Sequence, residues 1–282
     1  MMRIRIIGGG SVGSSLALKL ETVTGVDYQI VFKSESTHER LLEIGIPSEK
    51  VSEWDKADFD CDIVMICVKD SQIESVAEQL SSKVSGFTPL VIHTSGAKSK
   101  DVLVPLLRKG CKIAAAHPYQ TFAESETDVF SGTAWGIDAD VDEKELIDRF
   151  IEALDGNSIY LSDDTLANKS LYHSSAVAAS NFLALSIELA KNMAEDAGIE
   201  WESFLPKIMQ TTLDNNLKSE EPAITGPVVR GDVDTVRNHV NALGESVNCV
   251  VYKNMSESLA LMALDKGLIS GEKFEEIMEA LG

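Results

Sequence analysis

Two sets of residues in this chain carry chemistry. The first is Gly8-Gly9-Gly10-Ser11-Val12-Gly13, in which Gly8, Gly10 and Gly13 have the GxGxxG spacing. Between a strand and a helix, such a turn holds a pyrophosphate. The first glycine permits the tight turn, the second lets backbone approach the ligand, and the third allows close helix–strand packing. Ser11 and Val12 then open a helix whose N–H groups and positive dipole end suit phosphate. The second set can move protons. Lys169 and His173 stand four residues apart, about one turn apart on a single helix face, with Tyr172 close to that face. His117, in His117-Pro118-Tyr119, is expected at the carboxyl edge of a strand, and His93 ends another before Thr94-Ser95-Gly96. A buried ammonium is readily tuned toward neutral pH, so Lys169 is the leading candidate to protonate a carbonyl or imine that accepts a hydride. His173 and His117 are the next candidates. Plainer roles stay open: a core hydrogen bond for His173, a backbone-fixing bond for His117, a turn and cap for Ser95.

The elements that position these residues follow from hydropathy patterning. Residues 3–7, 28–32, 62–68, 90–93 and 112–117 are apolar strand candidates, while 11–23, 73–80 and 101–108 have helical spacing. Runs at 133–137 and 158–161, flanking a helix at about 142–154, extend the sheet. Strands alternating with helices predict an α/β fold, a doubly wound parallel sheet forming a Rossmann domain over residues 1–162. The texture then becomes Ala-, Leu- and Met-rich, and an all-α C-terminal domain is expected over 163–282. One long helix is expected over 164–197, with shorter ones at 201–217, 232–243, 246–264 and 270–281.

The end of the second strand chooses between nucleotides. NAD sites usually place Asp or Glu roughly 20 residues past the glycines, to bind the ribose hydroxyls. Lys33 and Ser34 stand there instead. A cation and a hydroxyl suit a 2′-phosphate, which favours NADP over NAD, the alternative being a merely solvated lysine. The missing carboxylate also counts against S-adenosylmethionine. Val68 and Lys69 should line the cofactor groove beyond the 62–68 strand, with Asp70 or Ser71 capping the next helix. Ser95 and Gly96 offer donors to nicotinamide or substrate, and His93 supports that pocket. Arg230, in the 225–232 loop, fits a substrate carboxylate and a salt bridge within the chain equally well. Asp232 reads as a helix cap, and Asn181, two turns past His173, is a further pocket candidate.

Composition removes several function classes. The chain has 282 residues, 44% of them hydrophobic, and a net charge of −20. That acidity is evenly spread, leaving no basic face for nucleic acid or anionic lipid. No apolar run approaches the roughly 20 residues that span a bilayer. With the first strand expected from residue 3, no signal peptide is expected. The four cysteines show no CxxC spacing and read as reduced thiols, pointing to the cytoplasm. His38, His93, His117, His173 and His239 have no spaced His or Cys partners, so no metal is expected.

Several motifs occur together: the glycine fingerprint, DIVMICVKDSQI at 62–73, IHTSGA at 92–97, AAHPYQTF at 115–122, KSLYHSSAVAASNFL at 169–183 and TGPVVRGD at 225–232. On these motifs nearly the whole chain resembles a family of Rossmann-fold proteins with a helical C-terminal domain. That family is related to pyrroline-5-carboxylate reductase, ketopantoate reductase and the deazaflavin-dependent NADP oxidoreductases. The resemblance implies an NAD(P)-dependent oxidoreductase, often a homodimer formed through the helical domain, and the leading reading is an NADP-dependent reductase of a small keto acid, imine or related compound. The resemblance itself singles out no substrate. The related 3-hydroxyacid dehydrogenases and ketopantoate reductase place a lysine four residues before an asparagine on such a helix. Here the partner is His173, a departure from that pattern. The alternative is a non-catalytic dinucleotide-binding module, a sensor or interaction protein. A transferase on the same fold would bind no nicotinamide.

Overall fold

The computed structural model describes residues 1–122, 128–219 and 223–282. They form two compact units, Met1–Ala179 and Ser180–Gly282.

In the first unit, β1 (Met2–Ile7), α1 (Ser11–Glu21), β2 (Val26–Phe32), α2 (Glu35–Glu43), β3 (Val51–Glu53), β4 (Ile63–Ile66), α3 (Ile73–Lys83) and β5 (Leu90–His93) follow one another. After them come α4 (Val104–Leu107), β6 (Lys112–Pro118), β7 (Ala134–Ala139), α5 (Lys144–Ala153) and β8 (Asn157–Tyr160). The strands form one sheet in the order β3-β2-β1-β4-β5-β6-β7-β8. This is the expected Rossmann architecture, with both faces covered. On one face Ile4, Ile6, Ile63 and Met65 pack with Leu16 and Leu20 of α1 and Phe150 of α5. On the other, Val64, Ile66 and Val91 pack with Ile73 and Leu80 of α3 and Leu106 of α4. Burial on both sides explains why these strands read as continuous apolar runs without alternation.

All strand pairs are parallel except β6–β7. A parallel return needs a crossover, usually a helix. Among the described residues of the 119–133 connection none is helical, and β7 runs back beside β6. Pattern reading also missed α2 and the three-residue β3. The helix expected over 101–108 is a 3₁₀ turn, Lys100–Leu103, followed by the short α4.

The long helix expected over 164–197 is interrupted twice. Helix α6 (Asp163–Ala167) stops at Asn168, whose φ of −117° and ψ of 34° leave the helical region. The Asn168 side chain donates to the Asp164 carbonyl, offering the backbone an alternative to the helical bond. Helix α7 (Lys169–Val177) then begins, and the π-helical turn Ala178–Phe182 leads out of it into α8 (Leu183–Asp196).

The second unit contains α8, α9 (Trp201–Lys218), α10 (Val233–Leu243), α11 (Val247–Asp265) and α12 (Gly271–Leu281). Val228, Val236, Ala260, Ala263, Ile277 and Leu281 form its core. Asp232 caps α10 by accepting from Thr235 N at 3.2 Å, as the sequence suggested. Helix α9 buries no residue, and its Phe204, Ile208 and Leu217 are 64%, 63% and 77% exposed.

Candidate active site

The glycine turn lies at the carboxyl end of β1. Gly8 has φ +106°, and a Cβ there would stand 2.5 Å from the Cys67 carbonyl oxygen. A Cβ on Gly13 would stand 2.0 Å from the Gly8 carbonyl oxygen, so α1 packs against the turn only because both positions lack side chains. At Gly10 a Cβ would meet nothing within 4 Å, which leaves the open approach that a pyrophosphate needs. Gly10 begins α1, no side chain caps the helix, and its first turn holds no acidic residue. Ser11, Val12 and Gly13 thus present the first helical turn with its positive dipole end uncompensated.

Beside the turn runs a groove of about 500 Å³. Gly8, Gly9, Gly10, Lys33, Ser34, Val68 and Lys69 line it, along with Thr37, Gln72 and Gln79, which sequence reasoning had not named. Ser34 caps α2 by accepting from Thr37 N at 3.3 Å. The Lys33 ammonium donates to Gln79 Oε1 at 2.6 Å and lies over the Trp54 ring. Glycines that only a bare backbone satisfies, an uncapped helix start and a lysine at the end of β2 fit a dinucleotide bearing a 2′-phosphate.

A second constellation forms at the carboxyl ends of β5 and β6 and beneath α7. In the β6–β7 register, Ala115 is opposite Asp138 and His117 opposite Gly136, so all four share one face. Helix α7 brings Lys169, Tyr172, His173 and Ser175 to them. Lys169 is 6% exposed, and its ammonium lies 4.0 Å from Asp138 Oδ2, which also accepts from Lys100 N at 3.0 Å. Burial pulls the Lys169 pKa down, and Asp138 opposes the fall. Tyr172 Oη is hydrogen-bonded to His117 Nδ1 at 3.3 Å, and the His173 ring is 5.8 Å from the His117 ring, centroid to centroid. Tyr119 hydrogen-bonds Ser175 and completes a wall of four rings. Burial, with His173 and Lys169 adding to it, pushes His117 down to about 4, so its imidazole is neutral at pH 7. Burial pushes the Tyr172 phenol up to about 12, so it keeps its proton.

Two glycines seat these rings. A Cβ on Gly96 would lie 2.7 Å from His173 Cδ2 and 2.8 Å from His117 Cε1, and one on Gly136 would lie 2.2 Å from Tyr172 Oη. His93 and Ser95 hold the Gly96 loop in place. Ser95 N donates to His93 Nδ1 at 3.2 Å, so Nε2 carries the proton and donates to the Ser99 carbonyl at 3.0 Å. Ser95 Oγ accepts from Ala97 N and Lys98 N and donates to Asp70 Oδ2 at 2.7 Å. The polar atoms of His93 and Ser95 are thus committed to the loop that carries Gly96. Asp70 and Ser71 do not cap α3, contrary to expectation, because a 3₁₀ turn over Asp70–Gln72 precedes the helix and Asp70 faces Ser95 instead.

Asn181 and Arg230 belong to the second unit. Asn181 is exposed in the π turn and accepts from Ser180 Oγ at 2.8 Å. Arg230 is exposed and makes no ion pair among the described residues. Asp138, Tyr119, Ser175 and Gly136 had not been singled out. One signal for Asp138 was available: an acid inside the apolar run Trp135-Gly136-Ile137-Asp138 is rarely buried without a partner. Among the described residues no group of three or more His, Cys, Asp or Glu is arranged to hold a metal, and no helix is long and apolar enough to cross a membrane.

Known proteins with this architecture include a Bacteroides fragilis protein, BF3122, described as a candidate NADP oxidoreductase. It is 21% identical, with TM-score 0.74 over 92% of this chain and 98% of that one. A pyrroline-5-carboxylate reductase from Coxiella burnetii is 20% identical, with TM-score 0.57 over 99% and 96%. An imine reductase from Myxococcus stipitatus, solved in complex with NADP+, is 12% identical, with TM-score 0.63 over 99% of both chains. At these identities the likeness establishes the fold. No curated protein matches the chain in sequence. Residues 1–118 match the model of a Rossmann-like domain, and residues 133–259 match that of a domain of unknown function, DUF2520.

Proposed function

We propose that the protein is an NADP-dependent oxidoreductase that transfers a hydride between NADPH and a small keto acid, imine or related compound. One observation carries this reading. A single unit holds both a glycine-turn groove and a buried lysine–histidine–tyrosine cluster, each at the carboxyl ends of strands, where open α/β sheets bind ligands. The NADP bound by the structurally similar imine reductase supports the choice of nucleotide.

Gly8, Gly10 and the start of α1 hold the pyrophosphate, and Lys33 and Ser34 hold the 2′-phosphate. The bound nicotinamide supplies the hydride. Lys169, whose ammonium Asp138 stabilises against the pull of burial, gives a proton to the acceptor heteroatom. Neutral His117 and protonated Tyr172 form a hydrogen-bonded pair beside it, able to position the substrate and to pass a proton onward. His173 makes no hydrogen bond to the described residues and is available to the substrate. The exposed apolar residues of α9 support a homodimer formed through the helical unit.

The test is titration with NADPH and NADH, followed by NADPH oxidation against panels of keto acids and imines. Lys33→Glu should abolish NADPH preference. Lys169→Ala should keep NADPH affinity and lower turnover by about 10²–10⁴-fold. Binding of neither nucleotide would sink the proposal. Binding without turnover on any member of the panels would leave a non-catalytic dinucleotide module.

A further inference from the structure

Lys33 is held by residues that come from two other parts of the fold. In the parallel β2–β3 pair Phe32 stands opposite Glu53, so the next residues, Lys33 and Trp54, are neighbours across the pair. Trp54 N donates to the Phe32 carbonyl at 2.9 Å and holds that register past the end of the strands. The Lys33 ammonium sits 4.1 Å from the centre of the Trp54 ring, while Gln79 Oε1 of α3 accepts from it at 2.6 Å. Both partners are themselves fixed. Trp54 is 9% exposed and packs on Phe59 with ring centroids 5.4 Å apart, and Gln79 Nε2 donates to Ser75 Oγ at 3.0 Å. Lys83 reaches the same ring at 5.6 Å but pairs with Asp55 at 3.9 Å, which leaves Lys33, among the described residues, as the unpaired cation on this ring.

A lysine at a strand end ordinarily samples many rotamers, and ordering it on binding costs affinity. The ring face attracts the ammonium without neutralising it, and Gln79 occupies one of its three N–H donors. No carboxylate among the described residues forms an ion pair with Lys33. The result is a pre-positioned cation with donors to spare, on the groove wall beside Ser34. Resting on the NADPH reading above, we propose that Trp54 and Gln79 are positioning residues that set nucleotide selectivity by holding the Lys33 ammonium where a ribose 2′-phosphate arrives.

The test is calorimetric titration of the full-length protein and its variants with NADPH and with NADH, with thermal unfolding as the folding control. Trp54→Leu should weaken NADPH about three- to tenfold and leave NADH within about twofold, the size expected for one cation–π contact. Trp54→Phe, which keeps a ring face, should retain most of the preference. Gln79→Glu, on an exposed helix position, should weaken NADPH about tenfold by pairing with Lys33 and repelling the phosphate, again sparing NADH. If Trp54→Leu does not fold, Gln79→Glu decides by the same criterion. NADPH affinity unchanged in Trp54→Leu and Gln79→Glu, or NADH weakened equally, would overturn the proposal. A wild-type protein without NADPH preference would overturn the cofactor reading and this proposal together. A preference lost in Lys33→Glu but intact in Trp54→Leu and Gln79→Glu would overturn this proposal alone.

Discussion

Replacing Gly136 by alanine should disturb the ring cluster in a way the structure makes calculable. The new Cβ would lie 2.2 Å from Tyr172 Oη, 3.0 Å from Tyr172 Cζ and 3.4 Å from Leu161 Cδ2. With ordinary contact near about 3.5 Å, the Tyr172 hydroxyl must retreat by more than about 1 Å. Its bond to His117 Nδ1 is already long at 3.3 Å, so that retreat breaks it. Helix α7 cannot simply slide away, because Lys169 at its first turn is buried. Overpacking of this kind costs about 1–3 kcal/mol, and replacing a strand glycine returns about 0.5–1 kcal/mol of backbone entropy. A net loss of about 1–2 kcal/mol is expected for Gly136→Ala. In a Tyr172→Phe background the oxygen clash disappears, so the two substitutions should couple by about 1 kcal/mol. Denaturant unfolding of the wild type, both single variants and the double variant measures that coupling. Turnover of Gly136→Ala should fall about 10²-fold, the usual consequence of a misplacement near 1 Å, with NADPH affinity unchanged. Strict additivity of the two stability losses would refute the placement of Tyr172 over Gly136.

Burial depresses His93 to about 4, below the 6.5 of a free imidazole, so the folded state holds fewer protons than the unfolded state between those values. The stability this contributes is fully present above about pH 6.5 and is lost as pH falls toward 4, at most about 3 kcal/mol for a side chain with no exposed surface. The melting temperature should therefore fall across that window, and His93→Gln should flatten the slope while lowering stability at pH 7; identical slopes would count against it. On α9, Ile208→Asp should shift the protein toward monomer in sedimentation equilibrium if that 63%-exposed side chain lies in a dimer interface, and a monomeric wild type would remove the interface altogether.

Local features of the site were legible in the sequence. The glycine fingerprint is contiguous, and Gly13 answers to the Gly8 carbonyl within the same turn, although the atom that excludes a side chain at Gly8 comes from distant Cys67. Lys169 and His173 share a helix, so a spacing of four already puts them together. Asn181 was chosen on helical spacing and Arg230 on chemistry, and Arg230 forms no ion pair among the described residues. The helices of the second unit fell close to their expected positions because capping residues and apolar periodicity are local signals.

What sequence patterning determined, then, is most of the order of strands and helices, the glycine motif and the lysine-bearing helix, since each is carried by residues close together in the sequence. Only the tertiary structure decided which distant residues meet them. The antiparallel return of β7 sets Asp138 under Lys169 and Gly136 under Tyr172, and the three-residue β3 sets Trp54 under Lys33. These contacts depend on strand direction and register, and a shift of one residue would turn each side chain to the opposite face of the sheet. No local pattern in this chain records that choice, because it is made by the packing of the whole sheet against its helices.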